Sequence, residues 1–322
     1  MKTTRYRPRS YGSCNTSVTM AQPPITNTGA GAARRYTVGQ ARAQLRRLAL
    51  QIGRALKLCD ADAVHDVRVA IRRFTRAIAV CQPYVRATDM GKNRRRLKKM
   101  MTEAGEVRDC DVALKLIAKL RVPQTTMLRL RLQGRRRQSA IRLCSELKKW
   151  RDRRKSLRWS ASLRSGKEDA AEESIQEVGR RVLARGMKDF LEQGKEASSG
   201  DASAEDLHRF RITAKKFRYS IELFQPLYGS KLDPVIQSIK GASALLGDIN
   251  DSVSAAALIA KYDGGERLAH RLKKRQHKAT EEFREYWKEL KQGGTLDLTC
   301  IEPAAPKKPV ASTEHRRRKS VA

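Results

Sequence analysis

Apolar residues recur along most of this chain at intervals of three and four. Leu45, Leu48, Ile52, Leu56 and Cys59 do so across 40–59, and the period returns near 64–82, 90–104, 109–120, 126–150, 173–192, 206–224, 232–246, 251–261 and 265–290. That spacing keeps one face of an α-helix apolar. No run alternates apolar and polar residues with β-branched enrichment, so the pattern predicts an all-α fold. Pro83, Pro123, Pro226 and Pro234 fall at segment ends or starts, where a residue without an N–H is tolerated. Gly105 and Gly247 each read as the end of one helix, with Asp109 and Asp251 capping the next or pinning an arginine. Residues 1–37 and 293–322 lack the period; rich in Arg, Pro and small polar residues, they read as disordered basic tails. The basic, Ser-rich stretch 151–166 reads as a linker between two halves, 38–150 and 167–292.

The halves repeat one another. Val64-His65-Asp66-Val67-Arg68-Val69-Ala70-Ile71-Arg72-Arg73-Phe74 lies over Leu207-His208-Arg209-Phe210-Arg211-Ile212-Thr213-Ala214-Lys215-Lys216-Phe217 at an offset of 143 (64 to 207), in register as far as Gln82-Pro83 and Gln225-Pro226. Gly105-Glu106-Val107-Arg108-Asp109 then matches Gly247-Asp248-Ile249-Asn250-Asp251 at an offset of 142 (105 to 247). An internal repeat of this length predicts two pseudo-symmetric antiparallel helical bundles.

Turned at about 100° per residue, each repeated helix separates its charges from its apolar side chains. His65, Arg68, Arg72 and Arg76 share one stripe of the first, opposite Val67, Ile71, Phe74, Ile78 and Cys81. His208, Arg211, Lys215 and Tyr219 share one stripe of the second, opposite Phe210, Ala214, Phe217, Ile221 and Phe224. Like charges one turn apart repel by a few tenths of a kcal/mol per pair, so a ladder of cations calls for compensation. Asp66, Glu103, Glu106, Asp109 and Asp111 are the nearby acids, too few to answer every cation. Two ladders brought together would line one basic groove or channel.

Charge sharpens this picture. Lys and Arg number 69 against 34 Asp and Glu, a formal net charge of +35. Such an excess points to a polyanionic partner: nucleic acid, anionic lipid or a long polyphosphate. Aromatic residues are only 5% of the chain, leaving few platforms on which bases would stack, so nucleic acid is the second reading, with nonspecific binding through the tails. Further basic clusters add to the field: Arg94-Arg95-Arg96 with Lys98 and Lys99, Arg135-Arg136-Arg137 with Arg142, and Lys273-Lys274-Arg275. Lys240 precedes Gly247 roughly as Lys98 precedes Gly105.

Other chemistries find little support. Neither His65 nor His208 has a His, Cys or carboxylate at i+3 or i+4 to make a two-ligand face, so no metal and no cofactor is expected. No phosphate-cradling Gly-rich loop, H-E-x-x-H or G-x-S-x-G is present, and no nucleophile stands by an oriented base; the expectation is a binding protein rather than an enzyme. Cys14, Cys59, Cys81, Cys110, Cys144 and Cys300 are scattered singly, as reduced thiols of a cytoplasmic protein would be. No apolar run approaches a membrane-spanning length. The Arg- and Ser-rich start, acid-free before Asp60, also has the character of an organelle transit peptide, a reading held below that of a plain tail, and Met20 is an alternative start.

The paired motifs resemble the CHAD domain, the conserved-histidine α-helical domain. The resemblance spans about 38–292 and rests on the two repeated helices and on the two Gly-centred motifs that follow them. It implies two pseudo-symmetric bundles around a basic channel that binds inorganic polyphosphate, and association with polyphosphate granules. Carried over by position, the implied binding residues are His65, Arg68, Arg72, Arg73, Arg76, His208, Arg211, Lys215, Lys216 and Arg218. Tyr219 joins them from its stripe, and Lys98, Lys99, Arg136, Arg137, Lys240 and Lys274 from the flanking clusters. Many members carry a fused triphosphate-tunnel domain; its E-x-E-x-K strand signature is missing from this sequence.

Overall fold

The computed structural model describes residues 31–85, 87–123, 126–164, 173–294 and 296, and both tails lie largely outside these. Among the described residues nine α-helices follow in order: α1 (Ala32–Leu58), α2 (Ala61–Cys81), α3 (Ala87–Lys119), α4 (Met127–Asp152), α5 (Lys155–Arg164), α6 (Ile175–Ala197), α7 (Ala204–Tyr228), α8 (Asp233–Ile259) and α9 (Glu266–Gln292). No strand occurs among the described residues. Helix starts are fixed locally. Asp60 accepts a hydrogen bond from the Ala63 N–H at 2.7 Å to open α2, and reciprocal capping boxes at Ser174/Glu177 and Ser203/Asp206 open α6 and α7.

The expected periodicity holds, and four expectations about breaks do not. α3 runs unbroken through Gly105 and α8 through Gly247, so neither glycine ends a helix and neither Asp109 nor Asp251 caps one. Glycine within a helix costs about 0.5–1 kcal/mol relative to alanine, too little to break a long helix that is packed on both sides. The stretch taken as a linker, 151–166, contains α5, whose Trp159 and Leu163 are buried. The Trp159 ring stacks on Phe74 at 5.8 Å and meets Trp150 edge-on at 5.7 Å. Its Arg- and Ser-rich composition masked an apolar pair at i and i+4. α1 starts inside the expected N-terminal tail, burying Ala33 and Thr37. Pro226 lies inside α7, in its last turn, where its missing N–H forgoes a single helical hydrogen bond, that to the carbonyl four residues before it.

α1 packs on α2 and α6 on α7; α3 packs on α4 and α8 on α9; α2 meets α3 and α7 meets α8. Across the halves α1 touches α6, α2 touches α7, and α3 lies along α8. The buried side chains do not divide by half. A large cluster draws Phe74, Trp150 and Trp159 from the first half and Phe190, Phe210, Phe217, Phe283 and Trp287 from the second. The latter five form a continuous aromatic group, with ring centroids 5.1–6.4 Å apart. Gly194 on α6 admits the Trp287 ring, which a Cβ there would overlap. A smaller cluster joins the ends of four helices: Cys110, Ala113 and Ile117 of α3, Leu128 and Leu132 of α4, Ala255 and Ile259 of α8, Ala269 and Leu272 of α9. Between the two clusters lies a polar waist, where α3 carries Glu106, Arg108 and Asp109 and α8 carries Asp248, Asn250 and Asp251. Cys59 and Cys144, far apart in sequence, bring their free thiols to 3.3 Å, while Cys81 and Cys110 are buried.

Candidate anion-binding site

The faces read from the sequence are the faces observed. Val67, Ile71, Phe74, Ile78 and Cys81 of α2 are buried, as are Phe210, Ala214, Phe217, Ile221 and Phe224 of α7. Burying these faces turns the opposite stripes toward the waist. There Arg68 and Arg72 of α2, Arg211 and Lys215 of α7, and Arg108 of α3 stand half-buried, close enough for their charges to bear on Arg68, Arg211 and Lys215. Arg68 Nη1 donates to the Met101 carbonyl at 3.2 Å, and this guanidinium lies 3.1 Å from where a Gly105 Cβ would be. The glycine in that motif makes room for an arginine.

Arg68, Arg211, Lys215 and His65 all find a positive charge costly here. Burial, then the charges of Arg72, Arg211 and Arg108, lower Arg68 to about 10 against the pull of Asp109. Arg211 is lowered too, first by burial and then by Arg72 and Arg108, against the pull of Asp251. Its Nε is buried without a hydrogen-bond partner. Lys215 falls to about 6, through burial first and then Arg211, Arg72 and Arg218. His65, exposed on its outer surface, falls to about 4 through burial followed by Arg108, Arg72, Lys215 and Arg68. Asp109 is itself raised, by burial foremost and by Asp251, in spite of Arg68, Arg108 and Arg211. Two carboxylates thus face four guanidiniums and an amine without settling them.

The other acids expected to neutralise the ladder are engaged elsewhere. Asp66 pairs with Arg54 at 2.8 Å, Glu103 and Glu106 with Arg142, and Asp111 with Arg136 at 2.9 Å. Of the five, Asp109 alone faces the ladder.

Several of the remaining expected site residues serve the contact between α2 and α7 instead. Arg73 Nε donates to Glu222 at 2.9 Å, and Arg218 reaches the same carboxylate at 3.3 Å. Their guanidiniums lie 5.8 and 5.0 Å from the ring centroid of Tyr219, which is 3% exposed and so unavailable to a ligand. Arg76 Nε donates to Ser220 Oγ at 2.6 Å. Arg136 adds to its ion pair a hydrogen bond to the Cys59 carbonyl at 2.8 Å, and Lys99 Nζ meets Glu146 at 3.0 Å. Lys98, Arg137, Lys216, Lys240 and Lys274 are exposed. The strongest charges acting on His65, Arg68, Arg211 and Lys215 come from one another and from Arg72, Arg108, Arg218, Asp109 and Asp251, not from those five.

The two histidines part company. His208 Nδ1 is hydrogen-bonded to Asn250 Oδ1 at 2.8 Å, whereas His65 faces Arg108, which occupies the position matching Asn250. Arg108 is the residue that sequence reasoning missed. It stood in the repeated motif, but a helix taken to end at Gly105 left no wheel on which to place it. No group of three or more His, Cys, Asp or Glu side chains among the described residues is arranged to hold a metal ion.

The family model described as the CHAD domain matches residues 39–260. The chain belongs to the CHAD domain family. Among solved structures it is similar to the CHAD domain from the plant Ricinus communis, at 23% identity and a TM-score of 0.60, covering 87% of this chain and 93% of that one. It is likewise similar to PptA from Streptomyces chartreusis, at 18% identity and a TM-score of 0.60, covering 82% of this chain and 100% of that one. Both likenesses are of fold. No curated protein matches the sequence. Among the described residues of this CHAD protein, no helix is long and apolar enough to cross a membrane.

Proposed function

We propose that this CHAD protein binds inorganic polyphosphate without transforming it, along a basic groove built by two halves in approximate two-fold relation. The observation that carries the reading is the cluster of Arg68, Arg72, Arg108, Arg211 and Lys215, whose positive charge two carboxylates leave uncompensated. A linear polyphosphate offers one negative charge at nearly every phosphate and oxygens on all sides, which suits guanidiniums and an amine converging from several helices. Bound phosphate restores the charge that burial makes costly. Support for the two-fold relation lies in the pairing of matched elements: α1 with α6, α2 with α7, α3 with α8.

The chemistry of the cluster argues against nucleic acid as the preferred ligand. Tyr219, the aromatic residue on the stripe of Arg211 and Lys215, is buried under Arg73 and Arg218. Among the described residues, the exposed large hydrophobic side chains are Leu, Ile and Met, which offer bases no stacking platform. The same reading makes the protein a cytoplasmic module at the surface of polyphosphate granules, with the basic tails adding nonspecific affinity for any polyanion.

The test is competition at near-physiological salt. Fluorescent long-chain polyphosphate bound to the full chain is displaced by unlabelled polyphosphate or by charge-matched RNA. The same is done with the Arg68→Ala/Arg72→Ala/Arg211→Ala/Lys215→Ala variant after circular dichroism has confirmed its helicity. RNA competes poorly and the variant loses at least a hundredfold in affinity. Equal competition by RNA, or full binding by the variant, would show the charge to be generic.

A further inference from the structure

Two surface depressions flank the cluster, and their linings correspond in part. One, between α3, α4 and α8, carries Glu106, Asp109, Arg135 and Lys261. The other, between α3, α8 and α9, carries Asp248, Asp251, Arg275, Lys119, Lys115 and Arg108. At the offset of 142, Glu106 answers to Asp248, Asp109 to Asp251 and Lys261 to Lys119. Two correspondences are broken, and both in the same sense. Lys115 matches Ala257, which lines the first depression, and Arg108 matches Asn250, which is held by His208. The first depression therefore balances two cations against two carboxylates, whereas the second sets four cations against two.

The second depression is also the one joined to the cluster by a cation. Arg108 lines it and at the same time acts on His65, Arg68 and Arg211. On the opposite side, the residue shared with the cluster is the carboxylate of Asp109, which acts on Arg68 and lines the first depression. A phosphate chain longer than the cluster must run on in some direction. Each phosphate neutralised by a cation releases counterions and adds affinity, whereas a neutral depression returns nothing for the chain it orders.

We propose that a bound polyphosphate leaves the cluster in one direction, along the α3–α8–α9 depression past Arg108 toward Lys115 and Lys119, so that the site is polar in spite of its repeated architecture. This rests on the reading of the cluster as a polyphosphate site, and it makes length discrimination a property of one side only. Short phosphates fill the cluster; long ones also reach Lys115 and Lys119, both exposed.

The full chain is titrated with tripolyphosphate and with polyphosphate of about a hundred units, over a range of salt concentrations, for three variants. Lys115→Ala/Lys119→Ala weakens the long chain about tenfold or more. It also flattens the slope of log affinity against log salt by about two, roughly one per lost phosphate contact, while tripolyphosphate binding stays within twofold. Arg135→Ala/Lys261→Ala removes the same charge from the matching depression and leaves the long chain within about threefold. Equal losses in the two double variants, or a loss in neither, overturn the single exit while leaving the cluster intact as a site. The quadruple cluster variant separates the two levels: if it still binds, the polyphosphate reading itself has failed, and the direction with it.

Discussion

The two halves of the waist share a repeated sequence pattern and carry different charges. At matched positions the first half places Arg68, Arg72 and Arg108, and the second places Arg211, Lys215 and Asn250. All three residues of the first half are guanidiniums. In the second, Lys215 is held near neutrality by burial and by Arg211, Arg72 and Arg218, and Asn250 is engaged with His208. The difference teaches that a repeated sequence pattern need not repeat its charge. The first half presents charge unconditionally, and half of the second half's contribution appears only when an anion restores a proton to Lys215.

The largest effect that would break this comparison is in binding. Arg72→Ala should weaken polyphosphate more than tenfold at pH 8, whereas Lys215→Ala costs only a few-fold there, because wild-type Lys215 must take up a proton before it can contribute. With its free pKa at about 6, Lys215 is already charged below that pH, so the two variants converge at pH 5.5. Wild-type affinity accordingly falls as pH rises from 6 to 8, by up to tenfold per unit for one linked proton. Lys215→Arg, which keeps its charge, flattens the profile. Anisotropy titrations at fixed ionic strength measure all of these, and parallel profiles for wild type and Lys215→Arg would show that Lys215 has no conditional role.

Stability should slope the other way. Between about pH 6 and the ordinary lysine range, the unfolded chain holds a proton on Lys215 that the folded chain has released, so anion-free stability rises with pH across that window. Lys215→Met removes this dependence and melts a few degrees higher than wild type at pH 7. Thermal melts from pH 6 to 9 in phosphate-free buffer check both statements, and identical slopes for the two proteins would contradict them. The smallest effect concerns the histidines. His208→Ala loses an exposed hydrogen bond to Asn250 and costs about 1 kcal/mol or less in urea denaturation. His65→Ala, which removes a ring held uncharged among cations, leaves anion-free stability unchanged. Equal losses would mean that the two histidines do the same work.

Legibility in the sequence followed the helical wheel closely. The stripe of α2 and its counterpart in α7 were drawn from spacing alone, and His65, Arg68, Arg72, Arg211 and Lys215 do converge. Arg73, Lys216 and Arg218 came only from family resemblance; the first two lie about 100° off those stripes, and Arg218, seven residues beyond Arg211, lies at the edge of its stripe. Two of them turn away to share Glu222, and Lys216 faces solvent. Arg76 and Tyr219, at the far end of the stripes, were on the right face but too far along it, and they belong to the α2–α7 contact. α5 was hidden because composition was weighed above the spacing of Trp159 and Leu163. Arg108 was hidden because a glycine was read as a stop, when what it supplies is clearance for the Arg68 guanidinium.

That same unbroken passage through Gly105 and Gly247 has a mechanical meaning. α3, with 33 residues, and α8, with 27, are rods of about 50 and 40 Å at 1.5 Å per residue. Each is anchored at one end in the large apolar cluster and at the other in the small one. A waist crowded with like charge would spread like an opening jaw if it were hinged on loops. Splinted by two continuous rods, it keeps its cations at fixed separation, so the entropy of gathering them is spent when the chain folds and an arriving anion meets an array already set.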